Sequence, residues 1–134
     1  MNPASHSLTI RDATTLGDDR PVFALEFLTE RITVRELIRR RVYQDVKDYN
    51  VTQTEMFYGL VKPTDAEQTL NGYKLKQPRR IDWEVQAEKA IEAFDRNGFI
   101  VLIDDHQAED LDADIVIRPG MSVTFFKLMP LVGG

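Results

Sequence analysis

Asp114-Ile115-Val116-Ile117-Arg118-Pro119-Gly120-Met121-Ser122-Val123-Thr124-Phe125-Phe126-Lys127-Leu128-Met129-Pro130-Leu131-Val132-Gly133-Gly134 holds two apolar runs of strand character, a turn between them and a bare diglycine behind the second. Arg118-Pro119-Gly120 has turn chemistry, because proline presets one backbone angle and glycine tolerates the other hand. Pro130 lacks an N–H, so it stiffens the exit from the last strand and helps to end pairing there. Glycine loses more freedom on ordering than any other residue, so Gly133 and Gly134 are expected to stay mobile unless a partner captures them. They add nothing to a core. Their carboxylate is expected to be a slim group able to enter a narrow site.

Upstream, Phe99-Ile100-Val101-Leu102-Ile103 is a continuous apolar run, the pattern of a strand buried on both faces. Before it, Asp82 can cap a helix in which Trp83, Ala87, Ala90, Ile91 and Phe94 share one face, and Asn97-Gly98 supplies a left-handed stop. A longer helix opens at Thr33, with Glu36 three residues on to complete a capping box. Its stripe of Val34, Leu37, Ile38, Val42, Val46 and Tyr49 recurs at helical spacing, leaving Arg35, Arg39, Arg40 and Lys47 largely wet. At the start, Ser7 to Asp12 alternates polar and apolar, Gly17-Asp18-Asp19-Arg20-Pro21 turns, and Val22 to Leu28 returns. The region from Asn50 to about Arg80 breaks both periodicities and reads as a partly ordered insertion around Met56-Phe57-Tyr58-Gly59-Leu60-Val61. The order strand, strand, helix, irregular stretch, helix, strand, short strand, strand predicts an α+β domain whose sheet curls over helix faces.

Composition narrows the function. A chain of 134 residues, 43% hydrophobic and 29% charged, suffices for one sizeable core and is short for two full domains. A formal charge of −5 and a pI near 5.0 argue against nucleic acid or an anionic membrane as the main partner, since both reward a basic surface. Without cysteine there is no disulfide framework, thiolate zinc site or cysteine nucleophile. Met1 to His6 lacks the basic and apolar segments of a signal peptide, and no apolar run approaches membrane-spanning length, so a cytoplasmic location is expected.

The ends of the chain, residues 7 to 49 and 99 to 134, resemble the β-grasp sulfur carriers of molybdopterin and thiamine biosynthesis, and more distantly ubiquitin. The resemblance rests on the apolar strand entering a turn at Ile103-Asp104-Asp105, the Pro119-Gly120 turn, the strand Val123-Thr124-Phe125-Phe126, and Pro130-Leu131-Val132-Gly133-Gly134. Two positions differ from the family pattern: Asp104-Asp105-His106-Gln107 stands for the usual Asn-Gly turn, and Met121 for an acidic residue. The resemblance implies a single β-grasp domain over 1–134, a mixed sheet packed on a helix, with an insertion at about 50–98 that carries the second helix. It also implies that Gly134, behind Gly133, is adenylated by an ATP-dependent activating enzyme. The product would be a thiocarboxylate for a sulfur-accepting enzyme or an amide on a target lysine. The chain is then a substrate, not an enzyme, and needs no cofactor of its own. In-line attack on the α-phosphate of ATP requires close approach, which bulky neighbours of the carboxylate would block. Leu128, Pro130, Leu131 and Val132 would dock as an extended peptide. The competing expectation is a β-grasp interaction module with an inert tail.

The remaining constellations read as structure. Asp110-x-Asp112-x-Asp114 imitates a calcium loop, yet Ile115 occupies the glycine position and Met121 that of the bidentate glutamate, so no metal is expected. These acids are expected to accept local backbone bonds. Arg35, Arg39, Arg40 and Arg41 are expected on the wet face of an amphipathic helix. Trp83, Ile91, Phe94, Met56, Phe57 and Tyr58 are expected to pack in the interior. His6 and His106 have no nucleophile at a recognisable motif.

Overall fold

The computed structural model describes residues 5–69 and 72–128. It is a mixed α+β fold with two helices and a mixed five-stranded sheet. The chain divides into two compact units, one made of the residues up to Leu37 together with those from Phe94 onward, the other of Ile38–Ala93.

The first unit holds the main sheet. Strands β1 (His6–Thr14), β2 (Asp19–Phe27), β7 (Phe99–Ile103), β8 (His106–Ala108) and β10 (Ser122–Lys127) lie in the order β2-β1-β10-β7-β8. β10 runs parallel to β1 and antiparallel to β7, and every other pair is antiparallel. Alternation sorts the side chains: Leu8 and Ile10 of β1, Leu25 and Phe27 of β2, Val101 of β7, and Val123 and Phe125 of β10 are all buried. Phe99 links the sheet to the end of the second helix, its ring 6.1 Å from those of both Phe94 and Phe125. The β1–β2 ladder slips between Ile10 and Arg11, opposite Phe23 and Pro21. Pro21 has no N–H to give, and a bulge on a strand at the sheet edge is where that is tolerated.

A short ladder precedes the first helix. β3 (Arg31–Thr33) pairs antiparallel with β9 (Asp114–Val116), placing buried Ile32 opposite buried Ile115. Helix α1 (Val34–Thr52) then starts with its free amides provided for. The N–H groups of Val34 and Arg35 donate to the carbonyls of Ala113 and Leu111, and that of Glu36 to Thr33 Oγ1 at 3.1 Å. Thr33 is therefore the cap. Its hydroxyl also donates to Glu36 Oε1 at 3.4 Å.

In the second unit, Ile38, Val42, Val46 and Tyr49 of α1 are buried, the stripe expected from their spacing. Segment 53–80 is more ordered than its sequence suggests. β4 (Met56–Phe57), β5 (Ala66–Gln68) and β6 (Tyr73–Leu75) form an antiparallel sheet in the order β4-β6-β5. Phe57 is buried, with Tyr49 edge-on at 5.6 Å. A Cβ on Gly59 would lie 2.2 Å from the Phe57 ring, so only glycine fits there. Asn50 clamps Ile81 from both sides, accepting from its N–H at 2.8 Å and donating to its carbonyl at 3.0 Å. Asp82 Oδ1 accepts from the Glu84 N–H at 2.9 Å and starts α2 (Trp83–Asp95), which ends at Asn97 in a left-handed conformation.

Two packing expectations need correction. Arg41 is fully buried rather than on the wet face, and its Nε donates to Asp45 Oδ2 at 2.9 Å across one helical turn. Tyr58 is 51% exposed rather than interior, and Trp83 is half-buried, its ring edge-on to Tyr43 and under the Arg39 guanidinium.

Candidate functional site

The candidate site is the end of the main sheet where β10 releases the chain. Thr14 of β1 stands opposite Lys127 of β10, and the Thr15 N–H donates to the Lys127 carbonyl at 3.2 Å, so the ladder holds up to the last residue of the strand. Leu128 follows and is 42% exposed. Gly133, Gly134, Pro130, Leu131 and Val132 lie outside the described residues, so among the expected site residues the structure places Leu128 alone.

The neighbouring β1–β2 turn is tightly built. The Thr14 N–H donates to the Asp18 carbonyl at 2.9 Å, the Gly17 N–H to the Thr14 carbonyl at 3.1 Å, and the Leu16 N–H to Thr14 Oγ1 at 3.2 Å. Gly17 has φ of +98° with open space where a Cβ would stand, so backbone hand rather than room selects glycine. The turn thereby carries an exposed leucine, Leu16, whose preceding residue bonds to the residue before Leu128. Lys127 lies 4.0 Å from the nearly buried Asp12 carboxylate.

The sheet face opposite the buried one continues this apolar character. Register places Phe126 opposite Ile100 and Thr124 opposite Leu102 on adjoining strands. Phe126, Ile100 and Leu102 are each partly exposed. Exposed Leu16 and Leu128 at this end of the sheet, and the strip of Phe126, Ile100 and Leu102 on β10 and β7, are its apolar surface among the described residues. Sequence reasoning missed this strip because a run buried on both faces and a run with one face open look alike in Phe99 to Ile103.

The acidic residues after β7 are turned to local work. Asp104, at φ +52°, accepts from the Ser122 N–H at 3.1 Å and tethers the β7–β8 turn to β10. Asp110 accepts from the Asp112 N–H, Asp112 lies 3.4 Å from Arg35, and Asp114 lies 3.5 Å from Arg31. Among the described residues no group of three or more histidines or carboxylates is gathered as a metal would require. His6 and His106 open β1 and β8, paired across the ladders with Phe27 and Ile103. Burial raises the Tyr73 phenol above its ordinary range, and its hydroxyl donates to the Leu60 carbonyl at 3.3 Å. No helix among the described residues is long and apolar enough to cross a membrane.

No family model, curated protein or solved structure matches this chain.

Proposed function

We propose that this chain is a β-grasp carrier or modifier, a protein whose Gly134 carboxylate is made electrophilic by an ATP-dependent adenylating enzyme. One observation carries the reading: the order β2-β1-β10-β7-β8, with the last strand central, parallel to β1 and antiparallel to β7. A first hairpin, a helix, a second hairpin and a strand inserted between the two hairpins would give this order, and that likeness to the β-grasp plan is what supports the reading. Its use for tail chemistry is physical. A central strand is anchored on both sides, so whatever follows it leaves from the most rigid part of the sheet.

The carboxylate oxygen attacks the α-phosphate of ATP, the bond to the β-phosphate oxygen breaks, and pyrophosphate leaves with an acyl-adenylate on Gly134. Sulfide equivalents or a lysine amine then displace AMP, giving a thiocarboxylate or an amide. The activating enzyme supplies the catalysis. This chain contributes two glycines that do not obstruct the phosphate, with Leu128, Leu131 and Val132 as apolar anchors and Pro130 as a stiff exit. The reading requires Gly134 to carry a free carboxylate, whether as synthesised or after cleavage.

A second reading, an interaction module whose tail is inert, is favoured by the partly exposed strip of Phe126, Ile100 and Leu102, which can bind a partner without chemistry at Gly134. Incubating the full chain with the activating enzyme of its own cells, ATP and magnesium separates the two. The carrier reading expects pyrophosphate release and an acyl-adenylate, both lost when Gly134 is deleted. Binding without pyrophosphate release overturns it in favour of the module.

A further inference from the structure

β7 has five residues and β8 three, so the ladder between them covers Val101, Leu102 and Ile103 and then stops. Phe99 and Ile100 keep β10 on one side, at Lys127 and Phe126, and have no described strand on the other. Beside this open stretch of edge lies a recess of about 240 Å³. Buried Phe94 and Phe99 and half-buried Ile100 form its inner wall, while exposed Asp95, Gln107 and Glu109 form its mouth.

The two carboxylates differ from most of their neighbours. Asp104, Asp110, Asp112 and Asp114 are engaged by backbone amides or arginines. The carboxylates of Asp95 and Glu109 make no hydrogen bond or ion pair with a described residue, and no described strand pairs with the outer edge of β8. Asp105 is likewise unengaged, but it sits in the hairpin turn and does not line the recess. The unit around them carries 7 Lys and Arg against 13 Asp and Glu, so its field favours cations.

We propose that this notch receives an extended basic segment of a partner protein. The segment's backbone continues the line of β8 along Phe99 and Ile100, and one of its Lys or Arg side chains enters the recess. Strand addition supplies main-chain hydrogen bonds to the unpaired edge and is indifferent to sequence; the pocket supplies the selectivity. A long basic side chain suits it in both parts, with an aliphatic stem against Phe94, Phe99 and Ile100 and a cationic head at Asp95 and Glu109. An acidic segment is repelled by the same two carboxylates. The inference does not depend on activation of Gly134.

Amide spectra of the ¹⁵N-labelled full chain, titrated with a six-residue peptide of alternating valine and arginine, test it. Saturable shifts are expected at Asn97 to Ile100 and Gln107 to Glu109, with none from the valine and glutamate counterpart. The pair Asp95→Asn with Glu109→Gln should weaken binding roughly tenfold while leaving the rest of the spectrum in place, since both side chains are exposed. Glu109→Lys should weaken it further. Shifts centred on Asp105 and Asp112, equal binding by the glutamate peptide, an unaltered affinity in the double variant, or no saturable binding at millimolar peptide would each overturn the proposal.

Discussion

Removing Asp45 should cost this protein more than removing almost any other polar side chain. Arg41 is the largest fully buried side chain among the described residues, and the Asp45 side chain is only 8% exposed, with Nε to Oδ2 at 2.9 Å. Exposed pairs one helical turn apart contribute about 0.3–0.5 kcal/mol. A desolvated pair behaves differently, because losing one member leaves the other charge inside with less to offset its lost hydration, at about 3–5 kcal/mol. We therefore expect Asp45→Ala to destabilise by about 3–5 kcal/mol. With a urea dependence of about 2 kcal/mol per molar, the midpoint falls by about 1.5–2.5 M. Trp83 makes the assay local. It is the only tryptophan, it belongs to the same unit, and it packs edge-on to Tyr43 of the same helix, so its fluorescence reports the transition that matters.

The double variant Arg41→Met with Asp45→Ala removes both charges without adding bulk, and should recover part of that loss. The loss in Asp45→Ala should also persist in high salt, since buried pairs are weakly screened. A loss below about 1 kcal/mol, or one that vanishes with added salt, would refute the view that the pair is desolvated.

Ile38→Ala should cost about 2–5 kcal/mol by urea denaturation, because Ile38 is fully buried in the α1 stripe; a negligible change would mean that the helix faces the wrong way. Asp82→Ala removes the acceptor for the first amides of α2 and should cost about 1 kcal/mol in the same assay, with Asp82→Asn nearly neutral. Burial raises the Tyr73 phenol above its unfolded value near 10, so folding holds it neutral. Its contribution is complete below about pH 10 and is lost as pH rises from there through the folded value. Tyr73→Phe should flatten the alkaline fall in stability, and ultraviolet titration should lose its late phenol component.

The long, strongly periodic elements and the short strand at Asp114–Val116 are legible in the sequence, and the other short ones are not, for a physical reason. α1, α2, β1, β2, β7 and β10 each bury a stripe or an alternating face, and repeated burial writes a repeated pattern. β3, β8 and the strands at Met56, Ala66 and Tyr73 have two or three residues each, too few for a period to register. His106-Gln107-Ala108 is a strand because β7 offers an edge to it, a tertiary cause absent from its own composition. Arg41 was hidden among four arginines, yet a signal existed. It stands three residues after Ile38 and four before Asp45, on the apolar stripe itself, so helical spacing marks it as inward and pairs it with a carboxylate. At the tail the legible part is chemistry rather than structure, a proline and two glycines behind a strand, and these residues lie outside the described ones.

The most direct measurement is tandem mass spectrometry of the C-terminal peptide from protein isolated from its own cells, read at Gly134. Our account predicts a fraction in which the Gly134 carboxyl carries sulfur in place of one oxygen, or forms an amide with a lysine of another chain. A chain that reads on past Gly134 in its mature form, or a Gly134 that is only ever a free carboxylate in cells where the activating enzyme is active, would contradict it.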